Sequence, residues 1–548
     1  DAIDVASSPT GLSPGFLIAA HVAVRPFQYF RDASVARESA PAALERLCAR
    51  VIAPHVVPMC DDGDAGVRRV ALKIVFRAVR AYMPESMRGA AIQSVLSSIE
   101  KRCLALDPLE TSEEEWIAAK RALRLAKALV TRHASTLDGC AESLGRIVGA
   151  SVVVASAKAA SDAAVAEAFA SLESVLSATR DKSTRTAAWF ALTGDAATDE
   201  ARSAALRRMI VTCVVPHAAL TDRDEERLVE DPEEYARLNA VGDAATSDAI
   251  EEALADDGGS CGATARAAAL DFAAALVAAK GPVDPPDHHP TKKHKKDNED
   301  GEGKAPPATP GESALKDVVD AILAEAPKEK IEKVGKSAAA AGAVAVYAAP
   351  AAENALGVSR YFGLFQLTAA LASAGASRGR PMKDSAMKQF CQRHAFPAAA
   401  AARSPHVAAA AAKFIADAAA RSKSAPLLRE CVAALIAALE REWKINDDDE
   451  SIDEEGIAVV KEIASWAAKS VLEDSPASAD AFGVSAVGAV DASCDRLLAV
   501  VEASPASSAP ALRVLGAMAE AASGAMRPSA AAGRVHRIVS AFAPFATD

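Results

Sequence analysis

Aromatic side chains are scarce: they make up 4% of this 548-residue chain, against 51% for all hydrophobic residues. That shortage excludes a core organised mainly by large rings. The scarcity of alternating β-branched residues excludes a sheet-based fold. Also missing is any uninterrupted apolar run near the roughly 20 residues that a bilayer-spanning helix needs. The Ala-rich stretches at 337–351 and 397–413 are too weakly hydrophobic and too often interrupted, so a membrane is not an expected partner. Cysteine lacks pattern rather than number. The nine, at 48, 60, 103, 140, 213, 261, 391, 431 and 494, include no C-x-x-C and no Cys/His pair at zinc-ligand spacing. They read as reduced, buried thiols of the cytosol or nucleus.

Catalytic signatures are absent as well. There is no P-loop, no G-x-G-x-x-G after a strand, no H-E-x-x-H and no G-x-S-x-G. His133, His217, His394 and His406 stand isolated, and the abundant carboxylates lack a pocket that would shift their pKa values. No catalytic residue, cofactor or metal site is expected, and the chain does not read as an enzyme. Aromatics interleaved with Arg or Lys, which single-stranded nucleic acid would require, are missing too. The net charge of -12 further opposes direct nucleic-acid binding and favours basic protein partners.

What is present in quantity is Ala with Leu, in runs where apolar residues recur at three and four. This is the pattern of helices that bury one face. Residues 1–40 read as an irregular opening, with Ser13-Pro14, before the aromatic face of Phe27, Tyr29 and Phe30. From Pro41 onward the helices come in pairs. One runs from Ala42 through Ile52, a turn follows at Asp61-Asp62-Gly63-Asp64, and a second helix runs from Val67 to Tyr82. An acidic turn followed by Val-Arg-x-x-Ala resembles the start of the second helix of a HEAT-type repeat. Shorter cousins recur at Asp181–Ala187, Gly262–Ala268 and Ser404–Ala409. The expected fold is all-α, an α-α superhelix of HEAT or armadillo-like repeats interrupted by one disordered insertion. Its expected organisation is helical repeats over 1–281, a charged Pro/Gly-rich disordered loop over 282–313, and continuing repeats over 314–548. The loop carries His288-His289 and Lys292-Lys293-His294-Lys295-Lys296, and has too few apolar residues to offset the entropy of ordering.

Two acidic stretches are the candidate functional segments. The first is Asp447-Asp448-Asp449-Glu450 with Asp453, Glu454 and Glu455, expected in an exposed inter-helix loop, either as a solvated turn or as a contact surface that attracts basic protein. The second is the run from Thr221 to Leu238. Asp224, Glu225 and Glu226 lead to an apolar pair, then Asp231-Pro232 is followed by Glu233, Glu234 and Tyr235. Asp231 as cap, Pro232 at the first helical position and acids at the positive end of the dipole predict a helix start.

That second run also resembles the D-E-E-x-x-x-x-D-P-x-E-Y-x-R segment of the importin-β superfamily of nuclear transport receptors, closest to the importin seven/eight subfamily. Three further blocks accompany it. Trp116 to Leu123, with Lys120, resembles that subfamily's W-x-x-x-K-x-A-L helix. Val75-Phe76 to Pro84 resembles the helix end before it, and His394-Ala395-Phe396-Pro397 its H-V-F-P block. The blocks occur in the subfamily's order over about residues 20 to 420. Ala and Ser replace many larger apolar residues, and the last hundred or so match only as helical repeat.

The resemblance implies a shuttling import receptor of cytoplasm and nucleus that binds basic cargo such as ribosomal proteins or histones. It would cross the pore on Phe-Gly nucleoporins and release cargo to Ran-GTP. The family's repeats that make much of the Ran contact would precede Asp1, so an N-terminal part is expected to be missing. In the family, Asp224–Tyr235 is a structural signature rather than a contact site. Two alternatives remain open from the sequence: a HEAT-repeat scaffold that assembles a multi-protein complex, and an export receptor of the same superfamily.

Overall fold

The Asp61–Asp64 turn and the helix after it display the rule by which this chain folds. Asp64 has extended backbone, and its carboxylate accepts the N–H of Val67 at 3.0 Å, which caps helix Ala65–Val79. The computed structural model describes residues 14–25, 39–239, 265–279, 308–326, 349–441, 454–522 and 528–543. Within these spans, 81, 108–109, 138, 158–159, 378–381 and 484–485 are left out. No strand occurs among the described residues. In chain order the first helices are α1 (Pro14–Val24), α2 (Ser39–Leu47), α3 (Ala65–Val79), α4 (Ala90–Leu104), α5 (Glu113–His133), α6 (Cys140–Ser156), α7 (Asp162–Ala178), α8 (Arg185–Thr193) and α9 (Asp199–Met209). Next come α10 (Asp222–Glu230), α11 (Pro232–Asn239), α12 (Ala265–Ala278), α13 (Pro310–Glu325), α14 (Val358–Ser377), α15 (Asp384–Phe390) and α16 (Phe396–Ala401). The rest are α17 (Pro405–Arg421), α18 (Ala425–Glu440), α19 (Glu454–Glu473), α20 (Ser478–Phe482), α21 (Val487–Ala503), α22 (Ala509–Ala521) and α23 (Pro528–Phe542).

The chain forms two compact units, one of Asp1–His217 with Ala263–Asp317, the other of Ala218–Gly262 with Val318–Asp548. In the first, α1, α3, α5, α7 and α12 lie side by side in one layer, and α4, α6 and α8 form a second layer behind them. In the other unit, α14, α17, α19 and α22 make one layer and α16, α18, α21 and α23 the second. Helices α1, α3, α5 and α7, and likewise α4, α6 and α8, each pack on the next-but-one helix, the stacking of an α-α superhelix, in which a repeat buries its apolar face only against adjacent repeats.

The Val-Arg-x-x-Ala pattern acquires a mechanism here. Buried Arg68 donates to the carbonyls of Asp62 (2.5 Å) and Gly63 (2.9 Å), six and five residues back, and pairs with Glu115 at the start of α5. Arg185 repeats the device on Thr179 O (2.6 Å) and Arg180 O (3.3 Å). In both places a guanidinium satisfies carbonyls that the turn would otherwise leave without helical partners. Alanine shapes the second unit. Helix α17 is buried on almost every side, and Ala408 to Ala412 let its neighbours approach closely around it. The few rings are concentrated nearby. Phe414 of α17 lies 4.9 Å from Phe390 and 6.1 Å from Phe365, and Tyr361 lies 5.2 Å from Phe365.

Three expectations need correction. Pro14 does not sit in an irregular opening, because it begins α1, while Ser13 lies outside the described residues. The end of the expected 282–313 loop, 308–313, is instead a helix start. Thr309 Oγ1 donates to Val277 O (3.0 Å) and accepts the N–H of Glu312 (3.1 Å), while Gly311 lies so close to α12 that a Cβ there would stand 2.1 Å from Leu276 O. Glu454 and Glu455, expected in a loop, are the first residues of α19. Residues 280–307, with the His and Lys run, lie outside the described residues.

Candidate functional site

The Thr221–Leu238 run contains two helix starts where one was expected. At the first, Asp224 is buried, and its carboxylate accepts both the backbone N–H (2.9 Å) and the hydroxyl (2.6 Å) of Thr221. This is half of a capping box, with the acid three residues into α10 reaching back to the residue before it. Glu225 and Glu226 point to solvent. The chain breaks at Asp231, whose carbonyl accepts Tyr235 N–H at 3.0 Å, and Pro232 opens α11. Glu234 lies within α11, and its side chain is outside the described set. Tyr235 is only 3% exposed, and its hydroxyl lies 2.6 Å from Nδ1 of His406, with the rings edge to face at 5.1 Å. His406 is therefore not isolated: it joins α17 to a helix far away in sequence. Leu228 of α10 extends the seam, because a Cβ on Gly456 would meet Leu228 at 3.6 Å and Pro405 at 3.2 Å. The signature segment thus clamps the N-terminal ends of α17 and α19.

The other histidines also have partners. Nε2 of His133 lies 2.7 Å from Val79 O, and Nε2 of His217 lies 2.7 Å from Ala155 O. His394 packs on Phe390 at 5.3 Å, and burial together with Arg393 lowers its pKa to about 4, so it is neutral at physiological pH. Its carbonyl accepts the Tyr361 hydroxyl at 3.3 Å. The resembling block at 394–397 is thereby an anchor of the aromatic cluster, just as Trp116, 5% exposed, is a core residue of α5. The described cysteines are free thiols, and burial raises Cys48, Cys60, Cys103, Cys213 and Cys391 to about 12, which keeps them protonated and unreactive.

Of the candidate acidic surface, Asp447, Asp448, Asp449, Glu450 and Asp453 lie outside the described residues, while Glu454 and Glu455 occupy the first turn of α19.

The structure assembles a different group of carboxylates, in the first unit, which sequence reading passed over. Glu167 of α7 is 3% exposed, Lys127 Nζ of α5 is 3.9 Å from it, and its Oε2 accepts no hydrogen bond. Glu173 of the same helix is pushed up to about 7 by burial and by Asp271 of α12, against the opposing pull of Lys127. Burial raises Asp271 as well. Lys127 thus serves both Glu167 and Glu173, while Asp271 opposes the ionisation of Glu173. The available signal was Glu167 standing on the buried stripe of α7, between Ala166 and Ala168.

A cleft of about 780 Å³ opens in the same unit between α9 and the start of α13, lined by Ser203, Arg207, Val211, Pro310 and Asp317 among others. Half-exposed Val211 supplies apolar floor and the charged residues its rim. No group of His, Cys, Asp and Glu that could hold a metal ion, and no helix long and apolar enough to cross a membrane, occurs among the described residues.

No family model matches the sequence, and no curated protein does. Similar solved structures include an engineered protein, at 13% identity and TM-score 0.25 over 94% of this chain and 98% of that one. Kap121p bound to Nup53p is similar at 12% identity and TM-score 0.24 over 96% and 57%. Kap95p, described in its binding to RanGDP, is similar at 12% identity and TM-score 0.19 over 97% and 70%. The chain spans little more than half the length of Kap121p. At these scores the all-helical architecture rests on the packing within each unit.

Proposed function

We propose that this chain is part of a nuclear transport receptor that binds basic protein cargo, such as ribosomal proteins or histones, and catalyses no reaction of its own. The observation that carries the proposal is the ordered series of sequence blocks, from the Trp116 helix through Asp224–Arg237 to His394–Pro397. Within the described structure the marker residues of these blocks have definite places in helical stacks: Trp116 in the α5 core, Tyr235 at the α17 seam, His394 on the aromatic cluster. The net charge of -12 and the undercompensated carboxylates on α7 and α12 supply the attraction for Lys- and Arg-rich cargo. On this reading the protein shuttles between cytoplasm and nucleus, touches Phe-Gly nucleoporins through shallow clefts such as that beside Val211, and releases import cargo to Ran-GTP. Retention of the complete protein on immobilised Phe-Gly repeats, and its loss from repeats with Phe changed to Ser, is the expected result. A protein that passes through both columns alike is a scaffold and contradicts the proposal.

A further inference from the structure

Serine or threonine precedes proline at four described positions, Thr309, Ser404, Ser475 and Ser504, and only the last is exposed. Thr309 and Ser475 are buried, and their hydroxyls donate to Val277 O (3.0 Å) and Ala419 O (2.7 Å). Ser404 is half-buried, and its N–H donates at 3.1 Å to the carboxylate of buried Glu353. Ser504 stands in the turn between α21 and α22, where Pro505 keeps it out of helical conformation, at φ -145° and ψ 75°. The same turn borders a cleft of about 540 Å³ whose charged lining is Arg441, Lys461 and Arg496 with one acid, Glu440. Arg496 grips Glu440 with two N–H groups, and Arg441 donates to Ala402 O at 2.6 Å. Lys461 of α19 has no ion-pair partner among the described residues. Pro510 and Ala511 at the start of α22 also border the cleft, and no side chain caps that helix. An uncompensated cation and the positive end of a helix dipole thus lie beside an exposed hydroxyl.

We propose that Ser504 is a phosphorylation site of a proline-directed protein kinase, and that its phosphate seats in the adjoining cleft on Lys461. In the transfer, Ser504 Oγ bonds to the γ-phosphorus of ATP and the bond from that phosphorus to the β–γ bridging oxygen breaks. ADP departs, and the hydroxyl proton passes to the catalytic carboxylate of the kinase. The proline after the serine has a fixed φ and no N–H, a backbone feature that a kinase can select. The product carries roughly -1.5 to -2 charge at neutral pH and three strong acceptor oxygens. At the cleft it meets the ammonium group of Lys461 and the uncapped first turn of α22, so it ties the end of α21 to α19. At Ser404 a phosphate would meet the Glu353 carboxylate instead, and at Thr309 or Ser475 it would break a buried hydrogen bond. The site stands whether or not the transport reading holds.

The test is incubation of the folded full chain with a mitogen-activated protein kinase and Mg-ATP, followed by peptide mass mapping, with a synthetic 498–510 peptide confirming that the kinase accepts the sequence. Phosphate on Ser504 is expected, absent in Ser504→Ala, while Thr309 and Ser475 stay unmodified. Amide hydrogen exchange in the first turn of α22 and around Lys461 should slow about threefold on phosphorylation. Lys461→Gln should keep the modification and lose that protection, and a thermal melt of each unphosphorylated variant checks that folding is intact. The proposal is overturned if Ser504 stays unmodified in the folded chain while the peptide is phosphorylated, or if Thr309 and Ser475 are modified to the same extent. Exchange that phosphorylation leaves unchanged, or protection that survives Lys461→Gln, overturns the seating on Lys461.

Discussion

Tyr235 shows how a residue conspicuous in a sequence can serve structure. Its neighbours are mostly charged, yet it is buried against His406 and its hydroxyl makes the polar contact of that seam. Tyr235→Phe removes the hydrogen bond and keeps the ring, so the second unit should lose about 1 kcal/mol in denaturant unfolding, with cargo affinity unchanged. Unaltered stability would mean that the hydroxyl contributes nothing. Glu173 makes the opposite point, being inconspicuous in the sequence and perturbed in the structure. Its pKa is raised from 4.5 in the unfolded reference to about 7, so the folded chain holds a proton that the unfolded chain gives up earlier. The associated stability is fully present below about 4.5 and declines as pH rises through 7. Glu173→Gln should therefore melt later than wild type at pH 8, by the equivalent of about 1 kcal/mol after allowance for solvent screening, and should show little difference at pH 5. Melting curves at the two pH values check both the size and the sign.

At the scale of elements, the helices with a strong period and a capping residue were legible. The Asp61–Asp64 turn and the helix after it follow from spacing and cap chemistry, and Arg68 and Arg185 show that the repeated Arg has one physical task, closing the turn before it. A second recurrence escaped notice. Three helices widen into π-helical turns near a proline: Cys48–Val56 contains Pro54, Ile210–Val214 precedes Pro216, and Cys391–Ala395 precedes Pro397. Proline cannot donate an i to i-4 bond and clashes with the carbonyl four residues back, so a wider turn accommodates it. Uneven spacing hid this repeat, and the 394–397 block is one instance of it. The carboxylate group of Lys127, Glu167, Glu173 and Asp271 was illegible for another reason, since three helices distant in sequence bring it together. The start of α13 was misread because Pro, Gly and Ser suit loops and helix caps alike. Gly311→Ala tests the corrected boundary. With a Cβ 2.1 Å from Leu276 O, α13 must move off α12, and amide hydrogen exchange should accelerate in both helices while α1 to α5 remain protected. Unchanged exchange would contradict the close approach.

At the scale of the whole molecule, charge selects the kind of partner. The first unit carries arginines and lysines on α3 and α5 and carboxylates on α7 and α12, with Lys127 of α5 beside Glu167 of α7. A protein with both signs arranged in this way is suited to holding macromolecules by extended surfaces, and transport is the use we propose for it. The most direct test is the binding of a labelled ribosomal protein or histone to the complete protein, measured with Ran loaded with GTP and with GDP. An import receptor loses the cargo with Ran-GTP and keeps it with Ran-GDP. Cargo held more tightly with Ran-GTP would make this an export receptor, and cargo binding indifferent to the nucleotide would contradict the transport reading.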